Sequence, residues 1–380
     1  MTERVKRLLI LRPDHLGDLV LFSGVLKHFR RRWPDAHISL CVRKFGLELF
    51  AHCPYVDELV AYGKLQADVC GQGRLAWMPQ VRGSDRLGNV LRKCLSGIVR
   101  RKYQNDLAIL PILAPSIDHH QCMEGIPARN KIGIGGNSSN QPVEFEKESR
   151  RHYSAQMDAS HLPWDFSELE ATRLFLKFLG IEVQTAELWP EFWTTNKDCR
   201  QADDWMPKKD GKIILGMAPG VSSITGKQLP AKWFAEVISL LSFGNFQIVL
   251  FGSGADVPLC EAAANAIENS GHGGRVLNLA GKTSVREMIE CFRRCDLVLS
   301  QETAALHIAA ALRKPAAGIV GGGHFGRFYP WGEPKLSRVV NNPMDCYGCN
   351  WQCKYETVRC IQEISPPAAA QALNELHAQL

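Results

Sequence analysis

Apolar residues along this chain fall into two alternating patterns. Arg7-Leu8-Leu9-Ile10-Leu11-Arg12 is a short unbroken apolar run between two arginines, the pattern of a parallel strand buried on both faces. A polar turn, Pro13-Asp14-His15-Leu16-Gly17-Asp18, follows. Leu19, Phe22, Leu26, Phe29 and Trp33 then recur at three- and four-residue steps, which predicts one amphipathic helix stopped by Pro34-Asp35. Residues 38–42 are again apolar. Strand, helix and strand in this order form a βαβ unit, with a right-handed crossover and a parallel sheet. Further strands are predicted at 106–113 and 131–135.

The second half repeats the alternation. Strands are predicted at 213–217, 247–251, 276–279, 296–300 and 315–320, with helices at 233–241, through 267, at 285–295, at 303–312 and, last, at 366–379. Five strands alternating with helices make a second doubly wound sheet. Residues 63–104 and 136–163 hold no sustained period and read as long loops with short helices. A helix over 165–179 ends at Gly180. The resulting division is an amino-terminal domain at 1–185, a linker at 186–210, a carboxy-terminal domain at 211–365 with a cysteine-rich loop at 346–360, and a terminal helix at 366–380. Two Rossmann-like α/β domains facing a central cleft are expected, with the ligand at the carboxyl ends of the strands.

Composition narrows the class. With 380 residues, 45% hydrophobic and 22% charged, the chain is neither disordered, collagen-like nor a coiled coil. No apolar run reaches the roughly 18 residues of a membrane span, and Leu8–Leu11 is too short for a signal-peptide core, so a cytoplasmic protein is expected. A net charge of +6 is modest and does not point to nucleic acid. Two basic runs, Arg30-Arg31-Arg32 and Arg100-Arg101-Lys102, read as solvated helix ends or as contacts to an anionic membrane face or a phosphorylated acceptor. Nine of the thirteen cysteines are dispersed; the other four, Cys346, Cys349, Cys353 and Cys360, fall within fifteen residues.

Four segments carry candidate chemistry. Gly17 permits a tight turn, and Asp18 stands in the first turn of a helix, where the macrodipole favours a carboxylate; a plain helix cap is the alternative. Ala218-Pro219-Gly220-Val221-Ser222-Ser223, followed by Lys227, is a strand-to-helix turn suited to a phosphate, or simply a turn. Gly252-Ser253-Gly254 lacks the third glycine of a dinucleotide fingerprint, Val257 standing there instead, and reads as a crowded strand-to-helix turn. In Ser300-Gln301-Glu302-Thr303-Ala304-Ala305-Leu306-His307, the amides at 303–305 open a helix that can face a diphosphate, and Glu302 can accept hydrogen bonds from sugar hydroxyls. His307 lies one turn inside and reads first as a packed, hydrogen-bonded histidine.

In combination these segments resemble a known family. Arg12 with Gly17-Asp18, Pro219-Gly220 with Lys227 and Trp233-Phe234, Asn278-Leu279-Ala280-Gly281-Lys282-Thr283, the 300–312 segment and Pro330-Trp331-Gly332 are similar in order and spacing to glycosyltransferase family 9, the ADP-heptose:lipopolysaccharide heptosyltransferases. The resemblance implies a GT-B fold, an acceptor-binding amino-terminal half, a donor-binding carboxy-terminal half, and inverting chemistry that requires no cofactor. It implies Asp18 as general base, with Gly220, Lys227, Glu302, Thr303, Ala304, Ala305 and His307 at the donor. Two departures stand out. The family usually has Asp-Ser/Thr-Gly where this chain has Glu302-Thr303-Ala304, and Lys227-Gln228-Leu229-Pro230 lacks the aromatic that often precedes the proline.

The expected function is transfer of heptose from ADP-heptose to a lipopolysaccharide core or related glycan. Another nucleotide sugar, a lipid-linked or protein acceptor, and a non-catalytic sugar-nucleotide binder are the alternatives, and a nicotinamide oxidoreductase ranks below them. Peripheral contact with the inner face of the cell membrane is compatible with such an acceptor. Arg82, Arg86, Arg92, Lys93 and His119-His120 read as acceptor-phosphate contacts or as surface residues. The four clustered cysteines read as a structural zinc or iron site, as disulfides, or as thiols packing a loop.

Overall fold

A computed structural model describes residues 4–70, 104–207, 211–221, 226–271 and 276–380. Arg82, Arg86, Arg92, Lys93, the run Arg100-Arg101-Lys102, Ser222 and Ser223 lie outside the described residues. The chain divides into two compact units, one formed by residues up to Leu162 with Glu168–Trp189, the other by Pro163–Ser167 with Pro190–Leu380.

The first unit is built on a six-stranded sheet in the order β3-β2-β1-β4-β5-β6. Its strands are β1 (Arg7–Leu11), β2 (His37–Val42), β3 (Glu58–Ala61), β4 (Asn105–Leu110), β5 (Ala128–Gly135) and β6 (Ala155–Asp158). Every pairing is parallel. Leu8, Leu9, Ile10 and Leu11 are at most 1% exposed, as the unbroken apolar run requires of a central strand covered on both faces.

The second unit repeats the plan in the order β12-β11-β10-β7-β8-β9. Its strands are β7 (Ile213–Ala218), β8 (Phe246–Leu250), β9 (Val276–Asn278), β10 (Leu297–Gln301), β11 (Ala316–Ile319) and β12 (Ser337–Val340), again all parallel. Both doubly wound α/β sheets expected from the hydrophobic pattern are present.

Four local expectations change. The apolar stripe from Leu19 to Trp33 belongs to two helices, Leu16–Ser23 and Leu26–Arg32. They part at Gly24, where the backbone carbonyls of Leu188 and Trp189 pass so close that any Cβ would collide with them. Residues 136–163 contain β6 as well as the helix Val143–Ser149. The segment expected as a linker, 186–210, carries the helix Asn196–Trp205, opened by a Thr195 capping box. That helix is tied to Val285–Arg294 through Arg286–Asp198 and Arg294–Asp203 ion pairs at 3.2 and 2.7 Å. The terminal helix Pro366–His377 is part of the second core: Ala369, Leu373 and Leu376 are buried there, and the Trp233 indole donates to the Ile364 carbonyl at 2.7 Å beside it.

Arg30 is engaged rather than free in solvent. It donates to the Pro34 and Ala36 carbonyls and pairs with Asp57.

Candidate functional site

In a doubly wound sheet a ligand crevice opens where strand order reverses, outside the carboxyl ends of the two strands that flank the reversal. In the first sheet that point lies between β1 and β4, and in the second between β7 and β10. The segments leaving β1 and β7 are those with Asp18 and with Gly220 and Lys227; the segment leaving β10 begins with Glu302. Topology therefore selects the same stretches as the motifs.

In the first unit, Asp18 is half-buried in the first turn of Leu16–Ser23. Behind it Arg12 is 1% exposed. Its Nε lies 2.8 Å from Asp14 and its Nη2 3.1 Å from Glu168; Nη1 donates to the Pro111 carbonyl, and the guanidinium sits 5.0 Å from the Phe22 ring centroid. Burial works against this charge, but Asp14, Glu168 and Asp18 outweigh it and hold the guanidinium above its ordinary value. Arg43 donates to the Pro13 carbonyl at 2.6 Å, fixing the turn between β1 and Asp18. The result is a buried cation that anchors a carboxylate-bearing loop at the switch point.

His119 and His120 are neither surface residues nor exposed phosphate contacts: they are 9% and 1% exposed. His119 Nδ1 accepts the Ser116 amide in a capping box. His120 meets the Tyr153 hydroxyl at 2.8 Å and the Gln141 amide at 3.0 Å, and burial holds it down to about 4, so it is neutral at physiological pH.

In the second unit, Lys227 is 6% exposed. Its ammonium lies 3.1 Å from the ring centroid of Trp351, a residue of the cysteine-rich loop. Glu302 is close enough to couple to it electrostatically. Burial lowers Lys227 to about 8 and raises Glu302 to about 7, each partly restoring the other's charge. The Gly321 amide donates to the Glu302 carboxylate, whose Oε2 is buried with no hydrogen-bond partner. Thr303 is the extended residue before the helix Ala304–Ala311, and no side chain caps that helix start. Its first amides therefore lack intrahelical partners beside a lysine and an under-satisfied carboxylate, a combination that fits a polyanion carrying hydroxyls.

The other predicted residues have different placements. Gly220 is buried, and a Cβ there would strike the Asp256 carboxylate, which also crowds Gly252; the Gly252-Ser253-Gly254 turn is thus the crowded turn expected. Ala305 is buried, while Ala304 is partly exposed. His307 is enclosed, accepting the Trp331 indole N–H at Nδ1 over 2.9 Å and stacking on that ring. Burial lowers it to about 4, so it orients Trp331 as a neutral ring. Sequence reasoning missed Gln301, whose amide holds the Pro219 carbonyl, and Trp351. The signal for Trp351 was the run Gly321-Gly322-Gly323, where side chains would collide with Trp351 and Tyr347.

Cys346, Cys349, Cys353 and Cys360 are free thiols. Among the described residues no three or more His, Cys, Asp or Glu side chains are gathered to hold a metal ion. The Cys360 sulfur instead accepts the Gly322 amide at 3.4 Å, and the Cys353 thiol donates to the Thr357 carbonyl at 3.5 Å.

Comparison with known proteins places this geometry. A Campylobacter jejuni lipooligosaccharide heptosyltransferase 2 is 26% identical over 171 residues, 44% of this chain and 52% of the relative, so the chain spans about half the length of that relative. Lipopolysaccharide heptosyltransferase 2 of Escherichia coli K12 is 22% identical over 327 residues, covering 83% of this chain and 82% of the relative. The solved structure of E. coli ADP-heptose lps heptosyltransferase II superposes with a TM-score of 0.64 at 19% identity, covering 98% of this chain and 99% of that one; that likeness shows the fold. Residues 123–357 match the model of the family described as glycosyltransferase family 9 (heptosyltransferase). The chain belongs to glycosyltransferase family 9.

Proposed function

We propose that this protein is an inverting glycosyltransferase that moves heptose from ADP-heptose to a lipopolysaccharide core. The observation that carries this reading is the buried Lys227 beside Glu302 and the uncapped start of Ala304–Ala311, all at the β7/β10 switch point. A lysine strained by burial gains most when a diphosphate arrives, because the anion offsets its lost hydration.

In the mechanism, Asp18 accepts the proton of an acceptor hydroxyl. The hydroxyl oxygen forms a bond to the anomeric carbon as the bond from that carbon to the diphosphate oxygen breaks. The electron pair leaves with the nucleoside diphosphate, whose charge is met by Lys227 and the amides at 303–305. Glu302 accepts hydroxyls of the donor sugar at its unpartnered Oε2, while Gly220 lets the loop after β7 approach the donor. Ala304 and Ala305 keep the helix start free of bulky side chains, and His307 holds Trp331 below it. Arg12 acts by anchoring the loop that carries Asp18.

Among the described residues no helix is long and apolar enough to cross a membrane. A lipid-anchored acceptor would bring a cytoplasmic enzyme against the inner face of the membrane, and sedimentation with acceptor-bearing vesicles tests that. The displacement draws on no cofactor and on none of the four clustered cysteines. Metal analysis of protein purified without oxygen, with Cys→Ser variants as controls, tests the zinc or iron reading of their spacing.

The decisive assay incubates the protein with ADP-heptose and with lipopolysaccharide-core acceptors that do and do not already carry heptose, and follows ADP release and product mass. Acceptor-dependent release of ADP with heptose added to the acceptor is expected. Turnover of a different nucleotide sugar alone would replace the donor assignment, and binding without turnover of any donor would overturn the catalytic reading.

A further inference from the structure

Resting on the reading that Lys227 receives a nucleoside diphosphate, we propose that Trp351 is a positioning residue for that lysine. The cysteine-rich loop thereby becomes a working part of the donor site. The segment Lys227-Gln228-Leu229-Pro230 holds no aromatic residue, and the ring beneath the ammonium comes from 124 residues further along the chain. The 3.1 Å separation of Nζ from the indole centroid is a close cation–π contact.

The rest of the loop fixes that ring. The Trp351 indole N–H donates to His324 Nδ1 at 3.1 Å, and the other ring nitrogen of His324 meets the Asn350 side-chain oxygen. Because indole is only a donor, His324 Nδ1 accepts and Nε2 carries the proton given to Asn350. Asn350 and Trp351 both sit in the left-handed region, at φ of 48° and 62°, a conformation that side-chain-bearing residues adopt only where their surroundings impose it. A Cβ at Gly321 would lie 2.7 Å from the Trp351 ring, and one at Gly323 would collide with it outright. The same Gly321 gives its amide to Glu302. One glycine run thus seats both the ring under Lys227 and the carboxylate beside it.

An indole face suits this task because it holds the ammonium without neutralising it. A carboxylate at the same distance would compete with the incoming diphosphate for the lysine's charge. Over a π face, the N–H groups directed away from the ring stay available to phosphate oxygens, and the long side chain is already ordered when the ligand arrives.

The test is a double-mutant cycle read by calorimetric titration of the full chain with ADP, with thermal unfolding measured on every variant. Trp351→Leu should weaken ADP binding by about tenfold, the size of a desolvated cation–π contact, whereas Trp351→Phe should stay within about threefold because the ring face remains. In the Lys227→Met background, Trp351→Leu should have no further effect. His324→Ala supplies a second route, releasing the ring without removing it; it should weaken ADP binding, again only when Lys227 is present. A well-folded Trp351→Leu that binds ADP as tightly as the wild type would overturn the proposal, as would a loss of equal size in the Lys227→Met background. If the wild type binds neither ADP, UDP nor GDP, the donor reading itself fails and this inference falls with it.

Discussion

Burial disfavours the charges of both Lys227 and Glu302, and pH should expose both. Lys227, lowered to about 8, loses its charge as pH rises through that value; Glu302, raised to about 7, gains a negative charge over the same range. Both changes disfavour an anion. ADP affinity should therefore fall steadily from pH 6 to pH 9, with a flatter profile in Lys227→Met, as measured by titration in buffers of matched ionic strength. His120 and His307 make a separate prediction. Each is held near 4, below the ordinary value of about 6.5, so the unfolded chain takes up protons first as pH falls. Their contribution to stability is full above 6.5 and is lost on descending towards 4. Denaturation midpoints should drop between pH 7 and pH 5, and less so in His307→Phe if that variant folds. Asp18, Lys227 and Glu302 could be singled out from sequence because each lies on the segment that leaves a buried strand. For Trp351 the only mark in the sequence is the Gly321-Gly322-Gly323 run that makes room for its ring, and no local pattern connects it to Lys227.

Short edge strands explain most of what the hydrophobic pattern concealed. The strands it missed, β3 (ELVA), β6 (AQMD) and β12 (SRVV), all lie at sheet edges. Each of these three is four residues long and partly exposed, so it shows no unbroken apolar run like that of β1. The break after Ser23 was hidden for another reason: Gly24 is crowded by distant backbone at Leu188 and Trp189, which no local pattern reveals. Gly24→Ala should accordingly cost about 1–3 kcal/mol of stability through overpacking, readable in urea unfolding, because the colliding atoms are main-chain carbonyls that cannot rotate away. Gly322→Ala faces the Tyr347 ring. It should destabilise by a similar amount and also weaken ADP binding, since it pushes on the loop that carries Trp351.

Two sheets of the same plan, each reversing its strand order beside its first strand, give the molecule two ligand-ready edges with different chemistry. The first edge offers a carboxylate over a buried arginine network; the second offers a lysine, a carboxylate with one unpartnered oxygen and a helix start that no side chain caps. This division was readable from the motif order, because Gly17-Asp18 and the Lys227 and Glu302 segments fall in separate halves. The helix at Asn196–Trp205 was hidden because the 186–210 segment, rich in tryptophan and charge, lacks a long apolar stripe and its helix docks through ion pairs. If, as proposed, Asp18 is the base and Lys227 meets the leaving group, the two functions lie on separate units and each should be removable without the other. Acceptor-dependent ADP release from ADP-heptose by Asp18→Ala, measured beside calorimetric ADP binding by the same variant, puts this to the test. Transfer should be lower by about 10²–10⁴-fold with ADP affinity unchanged; transfer by Asp18→Ala at the wild-type rate would contradict Asp18 as the base.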